Sequence, residues 1–463
     1  SSSYLSQRSE VTTNKDRYLV SWDYKSLNDD SFFESAKAKV YYQNLHTSDI
    51  WLEEKLEDII LPRVSDYHLY DEAHGFQIQF GSDIKNHLLT YGIDYSSTKN
   101  EYFQDKYEIV LGLKDRSFDA NTGTYPIKRS PDSETIKLGL FLQDEISLGE
   151  YDITAGIRFD NYKLNAYPDA IYTNYCEGIG TTCQAENLNI SNISPKIGVM
   201  RELNKDLKIW GKYSRGFKAP TWWELQSNHS NLTVDTPYRS IPNPDIKPEN
   251  SDGFEIGIKG NYQKYNFDLI GFYNIYSDLL VRNKNDETLE VDGKPTLVAT
   301  YQYANQDKAR IWGVEMINKY KFTPNKKGFT FKSGAAFTHG QDLSENKPLN
   351  TIDPFKVIAG LEYASQNDKF FGEIIGTYVG IARRERIPNS VGQFNFLPKP
   401  YFNFDFLTKY KYSNSIDFSF GLYNIFNNTY YILNNVGERI LDEGIEQFAE
   451  PGRYLRFGFN FIF

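Results

Sequence analysis

Leu207-Lys208-Ile209-Trp210-Gly211-Lys212-Tyr213-Ser214 decides the fold of this chain. Leu207, Ile209, Gly211 and Tyr213 point one way, and Lys208, Trp210, Lys212 and Ser214 the other, the period of two of a strand with unlike faces. Gly216-Phe217-Lys218-Ala219-Pro220 ends it, because proline cannot continue a hydrogen-bonded ladder. A polar loop follows and closes with Asn243-Pro244-Asp245-Ile246-Lys247-Pro248-Glu249, rich in turn formers. A second strand then begins, with Phe254, Ile256 and Ile258 opposing Glu255, Gly257 and Lys259. His229 is the single histidine of this loop, near its middle. A ligand is expected to meet the protein there.

The same rhythm recurs in about nineteen segments, from Arg17–Lys25 to Arg453–Phe463. Glu34–His46 and Ile50–Glu57 count as separate strands, as do Val298–Tyr303 and Ile311–Phe322. The later segments are the clearest: Phe402, Phe404 and Phe406 oppose Asn403 and Asp405, and Phe418, Phe420 and Leu422 oppose Asp417, Ser419 and Gly421. No helical period of any length competes, so the chain reads as all-β. Tight connections such as Gly149-Glu150, Asn204-Lys205-Asp206 and Ser413-Asn414 alternate with long polar ones. The long ones are Tyr107–Ser133, Asn165–Ser191, Thr221–Ser251, Arg282–Leu297 and Arg383–Pro400. That alternation predicts a large antiparallel transmembrane β-barrel, with brief turns at one end and external loops at the other.

Composition agrees. Aromatic residues form 16% of the 463, with 35 Tyr and 32 Phe, yet the mean hydropathy is -0.57. One greasy face and one hydrated face on every strand reconcile those values. No run of about eighteen apolar residues exists, which excludes a transmembrane helix and leaves the barrel as the only spanning form. A net charge of -10 and a pI near 5.3 argue against nucleic acid as partner. Cys176 and Cys183 share the 165–191 loop; they read as a loop-closing disulfide made in an oxidising compartment, or as two free thiols. Without nearby Cys or His partners they make a poor zinc site. Ser1-Ser2-Ser3-Tyr4 has no basic segment or apolar core, so no signal peptide is visible. Single-chain bacterial barrels hold an even number of strands, 22 in plugged transporters, so the count predicts that the first few strands precede Ser1.

Tyr213-Ser214-Arg215-Gly216-Phe217-Lys218-Ala219-Pro220-Thr221, then Glu224-Leu225, then Asn243 to Glu249 and Glu255, resemble the paired boxes of TonB-dependent outer-membrane receptors. The haem and haemoglobin receptor branch is the nearest likeness; its boxes read Phe-Arg-Ala-Pro and Asn-Pro-Asp-Leu. Lys218 and Ile246 depart mildly from that pattern. Phe141-Leu142-Gln143-Asp144-Glu145, Gly156-Ile157-Arg158-Phe159-Asp160 and Tyr423-Asn424-Ile425-Phe426-Asn427-Asn428 are further echoes. The resemblance implies a 22-stranded barrel of a bacterial cell outer membrane, in contact with lipid and lipopolysaccharide. It also implies an N-terminal plug, not found here, that contacts the TonB complex.

The cargo implied is haem or a haem protein, with His229 as ligand to haem iron in the 221–251 loop. A neutral imidazole suits iron, although an ordinary solvated loop histidine is the plainer reading. Tyr238, in the same loop, is a candidate second contact. Phe217, Lys218, Ala219, Pro220, Asn243, Pro244, Asp245, Ile246, Lys247, Pro248 and Glu249 are expected to shape the loop rather than touch a ligand. Trp222 and Trp223 are expected in a lipid-interface girdle rather than stacked on a porphyrin. The remaining histidines are expected to line the lumen or an interface. No catalytic motif is present, and no enzyme or catalytic cofactor is expected. A ferric-siderophore or cobalamin receptor of the same fold is the alternative; a passive porin or adhesion barrel is a more distant one.

Overall fold

The computed structural model describes residues 4–25, 33–55, 63–110, 113–116, 118–119, 123–181, 183–232, 236–291, 293–324, 327–384, 395–437 and 444–462. Most of the expected Arg383–Pro400 loop, and the terminal Phe463, therefore lie outside the described residues. The main sheet has 21 strands. Leu113–Arg116, His229–Asn231, Tyr238–Ile241 and Lys347–Pro348 are short, and the other seventeen form the wall.

In chain order the wall begins β1 (Tyr4–Lys25), β2 (Ser35–Lys55), β3 (Arg63–Ile84), β4 (His87–Val110), β5 (Asp132–Leu148) and β6 (Tyr151–Tyr167). It continues β7 (Leu188–Asn204), β8 (Leu207–Lys218), β9 (Glu249–Asn261), β10 (Tyr265–Val291), β11 (Lys294–Lys321) and β12 (Gly328–Asp342). It ends β13 (Lys356–Ala364), β14 (Phe370–Val379), β15 (Tyr401–Lys411), β16 (Ile416–Tyr423) and β17 (Tyr454–Phe461). Each wall strand pairs antiparallel with the next. Among the described residues no ladder joins β1 to β17.

Seventeen strands replace the expected nineteen because β2 and β11 are each continuous where the sequence suggested two. The Arg282–Leu297 loop is likewise corrected. Arg282 faces Tyr303 and Val291 faces Lys294, so β10 and β11 run on as a paired hairpin. At 27 and 28 residues they far exceed the roughly ten needed to cross a bilayer. Beyond the membrane both faces of a strand meet water, and the alternation that marks a strand fades. The expected 165–191 and 221–251 loops shift likewise, to 168–187 and 219–248 between the wall strands.

Within the wall the period of two separates two chemistries. One face carries Leu140, Leu142, Ile157, Phe159, Ile193, Ile197, Ile209, Phe254 and Ile256, all exposed. The opposite face carries charges that satisfy one another. Arg158 reaches Asp94 (2.8 Å) and Asp160 (2.6 Å), Lys212 reaches Glu255 (3.2 Å), and Lys332 bridges Glu362 and Glu373. A dry core would not hold so many ions, so the charged face lines a hydrated lumen and the apolar face meets lipid.

Short turns, such as those between β3 and β4 and between β5 and β6, close one end of the wall. The long connections gather at the other. They contain helices α1 (Ala170–Gly178), α2 (Trp222–Gln226) and α3 (Leu433–Val436), which the strand period could not announce.

Candidate ligand-binding site

The two boxes meet at the loop end of the wall. Phe217 and Lys218, at the end of β8, pair with Asn250 and Glu249 at the start of β9. The Lys218 ammonium lies 3.3 Å from both Glu224 and Glu249. Glu249 also accepts from the Leu280 backbone N–H (2.9 Å), which ties the second box to β10. Pro220 is fully buried, and its carbonyl accepts from the Tyr162 hydroxyl (2.8 Å). Thr221 then starts α2 by a reciprocal capping box: its hydroxyl accepts from Glu224 N–H, and Glu224 accepts from Thr221 N–H.

In the second box the Asn243 side chain turns the chain by accepting from Asp245 N–H (3.0 Å) and donates to the Tyr303 carbonyl (2.8 Å). Lys247 exchanges two hydrogen bonds with the Asn305 amide. Ile246 is buried with Tyr162, Leu164 and Leu225, and Ala219 and Trp222 pack against them. Burying Leu225 alone contributes about 2 kcal/mol. Phe217 and Pro244 are half-buried, and Asp245 and Lys247 are exposed beside these anchors.

His229 opens the short strand His229–Asn231, paired with Tyr238–Ile241. That strand runs parallel to β11 at Ala299–Gln302, so the loop is stitched to the tall hairpin. The His229 Nδ1 lies 2.8 Å from the Tyr175 hydroxyl, and the Tyr238 ring stands edge-on with centroids 5.6 Å apart. The structure thus brings His229 and Tyr238 together and adds Tyr175. Among the described residues no hydrogen bond engages the His229 Nε2.

Tyr175 is buried on α1 beside Cys176, which is disulfide-bonded to Cys183. The disulfide expected from the sequence is therefore present. Asp169 caps α1 by accepting from Tyr172 N–H (2.8 Å) and is held by the Lys128 ammonium (2.8 Å). Lys128 also reaches Asp132 (2.7 Å) and Glu101 (3.3 Å). The disulfide loop then grips the His229 loop directly. Thr181 donates to Asn228 (3.0 Å), Gln226 donates to the Glu186 carbonyl (2.9 Å), and Asn228 N–H donates to the Arg129 carbonyl (2.7 Å).

Burial, with the nearby positive charges of Arg129 and Arg282, pushes the His229 pKa down to about 3. The imidazole is thus neutral at physiological pH. Arg129 donates to Gln104 (2.6 Å), and its guanidinium lies 5.7 Å from the Tyr67 ring; Arg282 lies over Tyr301 at 4.3 Å. A neutral nitrogen base near two cations, walled by phenols, suits a planar anionic ligand with an electrophilic metal. Among the described residues no three His, Cys, Asp or Glu side chains converge as a metal cage.

Trp222 and Trp223 require a correction. They lie at the mouth of the lumen, not in a lipid girdle. Trp223 stands edge-on to Tyr102 (5.4 Å), which shares a face of β4 with Asp94, and Trp222 packs on the buried cluster. The Thr221 cap turns α2 inward over the charged face. His46 and His68 bond one another (3.1 Å) on the face that carries Phe76, and His87 bonds Asp144 (2.8 Å). Tyr175, Arg129, Arg282 and Lys128 escaped the sequence reading as site residues, and no local motif marks them.

Comparison with known proteins now identifies the architecture. Relatives include the "Probable hemoglobin and hemoglobin-haptoglobin-binding protein 4" of Haemophilus influenzae, 25% identical over 315 residues, covering 62% of this chain and 31% of the relative. The "Hemoglobin-haptoglobin utilization protein B" of Neisseria meningitidis serogroup C is 24% identical over 347 residues, covering 66% and 41%. The chain thus spans less than half the length of either. Among solved structures, the copper transporter OprC superposes with a TM-score of 0.71 at 16% identity, covering 96% of this chain and 65% of that one. The pyoverdine receptor FpvA from Pseudomonas aeruginosa gives 0.65 at 15%, covering 98% and 62%. The family model for the TonB dependent receptor-like β-barrel matches residues 1–425. With its unlike strand faces, its one-sided loops and that match, this chain belongs to the TonB-dependent receptor β-barrel family.

Proposed function

We propose that this protein is a receptor in a bacterial outer membrane that captures haem or a haem protein, with His229 as ligand to the haem iron. The observation that carries the reading is the His229–Tyr175 contact: an imidazole kept neutral, fixed through Nδ1, and set near Arg129 and Arg282. When Tyr175 accepts from Nδ1–H, the lone pair of Nε2 is free for iron. Arg129 and Arg282 then favour the two propionates of haem, and Tyr238 flanks the ring. The paired boxes hold the loop at the mouth of the lumen, so cargo released from His229 enters a hydrated passage. Energy for that step would come from the TonB complex through the plug of the whole protein. The hemoglobin-binding relatives support the choice of cargo.

A lumen-side cleft favours a second reading. Lys356, Lys399, Tyr401 and Tyr431 line it together with Glu315 and Asp353. Two ammonium groups among phenols suit an anionic ferric chelate such as a siderophore complex. Titrating the purified protein with haemin and with a ferric siderophore separates the two. Haemin is expected to give a shifted Soret band at one-to-one stoichiometry, with no tight binding of the chelate. A tight chelate with an unshifted Soret band reverses the assignment.

A Tyr175→Phe protein tests the geometry of the haem reading. It keeps the ring and loses only the hydroxyl that orients His229. Haemin affinity is expected to fall about tenfold, with an altered ligand-field spectrum but full folding. An unchanged spectrum would show that Nδ1 needs no anchor.

A further inference from the structure

The lipid-facing wall carries a built cleft at its loop end, near β12, β13 and β14. Phe337, His339, Ile352, Phe355, Tyr378 and Arg383 line a space of about 340 Å³. Phe337 and His339 share the outward face of β12: their partners on β11 are Val314 and Trp312, which are exposed. Gly340 alternates with His339, so its Cβ position faces the lumen; the Ile352 side chain fills that space, and the 343–355 segment thus closes the cleft from the inner side of β12. Phe355 and Ile381 leave large apolar surfaces open.

The Arg383 guanidinium lies 5.4 Å from the Phe337 ring centroid and has no carboxylate partner among the described residues. Asp353, the acidic group of the lining, is engaged by the Asn434 amide (3.1 Å). An exposed cation, without a counter-ion among the described residues, therefore overhangs an apolar slot.

Position and continuity indicate the occupant. His339 lies eleven residues along β12 from Gly328, roughly 36 Å of strand, which at the usual tilt rises roughly 27 Å. That height is the outer edge of the apolar band, where lipid headgroups begin. Below the cleft the outward side chains shrink to Ala335, Ser333 and Ala359; Ser333 faces Ala359 in register, and Val357 faces Ala335. Exposed Met316 and Leu361 flank this furrow. A slot capped by a cation and continued downward by a shallow apolar furrow matches a phosphate head and an acyl chain.

We propose that this cleft binds one phosphate-bearing membrane lipid, its phosphate on Arg383 and one acyl chain along Ala335 and Ala359. The proposal rests on the outer-membrane reading above. Native mass spectrometry of protein extracted from membranes in mild detergent tests it, using native protein, Arg383→Gln and Ala335→Leu. The native protein retains one phosphorylated lipid through delipidation; Arg383→Gln lowers retention about tenfold, and Ala335→Leu, which fills the furrow, lowers it similarly. Inorganic phosphate does not displace the lipid. Heat-dependent gel mobility confirms folding of each variant. Equal retention in Arg383→Gln, release by phosphate alone, or a dimer in place of the lipid adduct overturns the proposal. Recovery of the protein in detergent-free aqueous extracts would instead overturn the membrane reading itself.

Discussion

A His229→Ala protein is expected to bind haemin on the order of a hundredfold more weakly than the native protein and to lose the shifted Soret band. The size follows from what is removed: one coordinate bond at a site where the described residues form no cluster of three His, Cys, Asp or Glu side chains. Tyr238→Phe is expected to cost far less, because its ring would still flank the ligand. The pH profile adds a sharper signature. With its pKa pushed down to about 3, His229 stays free of protons well into acid. A proton therefore competes with iron only near pH 3, and haemin affinity through this ligand should be flat between about pH 8 and about pH 5. A solvated imidazole with the ordinary value of 6.5 would lose about thirtyfold over the same span. The linkage has a definite sign. A depressed folded pKa means the unfolded loop takes the proton more readily, so the stability contributed is complete above 6.5 and drains away as pH falls toward 3. A His229→Ala protein with native affinity and spectrum would remove the iron-ligand assignment.

The wall was legible because lipid and water impose opposite demands on neighbouring residues. Phe402, Phe404 and Phe406 against Asn403 and Asp405 can be satisfied only by a strand with unlike sides, and β15 is that strand. Legibility ended where the demand ended. Asn283, Lys284, Asn285, Asp286 and Glu287 are paired in β10 above the membrane, yet water on both sides leaves no alternation, so they read as loop. α1 was missed for a different reason. Tyr172, Tyr175 and Cys176 have helical spacing, but one nine-residue helix within a polar loop falls below what periodicity can separate from chance.

The tryptophans show a third limit. The same indoles suit a lipid girdle and a lumen mouth, and only the direction set by the Thr221 cap decides between them. At the candidate site the boxes were visible because their residues are local. The hydrogen bond between Tyr175 and His229 joins residues 54 positions apart, and no local pattern encodes it. Lys128 is farther still from any box, although it anchors the helix that carries Tyr175.

Lys128→Met is expected to detach the disulfide loop from the wall while leaving the wall folded. The ammonium is 4% exposed and serves three carboxylates, Glu101, Asp132 and Asp169, themselves a third to a half exposed. Burial alone would lower the Lys128 pKa, but hydrogen bonds to Asp132 and Asp169 outweigh it and raise the value. Breaking a buried ion pair from one side costs about 3–5 kcal/mol; the solvent reaching these carboxylates reduces the figure to about 2 kcal/mol. The loss falls on α1, because Asp169 is its N-cap. Amides of α1 should then exchange with solvent about thirtyfold faster, while amides of β5 and β6 keep their protection.

In the native protein the contact has a pH window. For Asp169, burial is outweighed by Lys128 and the Tyr172 N–H, and its depressed pKa keeps the contact intact above 3.8, failing as pH falls below that. Lys128, raised, holds it fully below 10.5 and releases it as pH climbs past its folded value. Asp132, whose carboxyl burial raises despite the ammonium, takes up its proton first on acidification. Since Tyr175 rides on α1, the same variant should also weaken haemin binding. Unchanged α1 exchange would show that the disulfide and the Tyr125–Ile127 cluster hold the loop unaided; loss of protection throughout the wall would make Lys128 a residue of the barrel, not of the site.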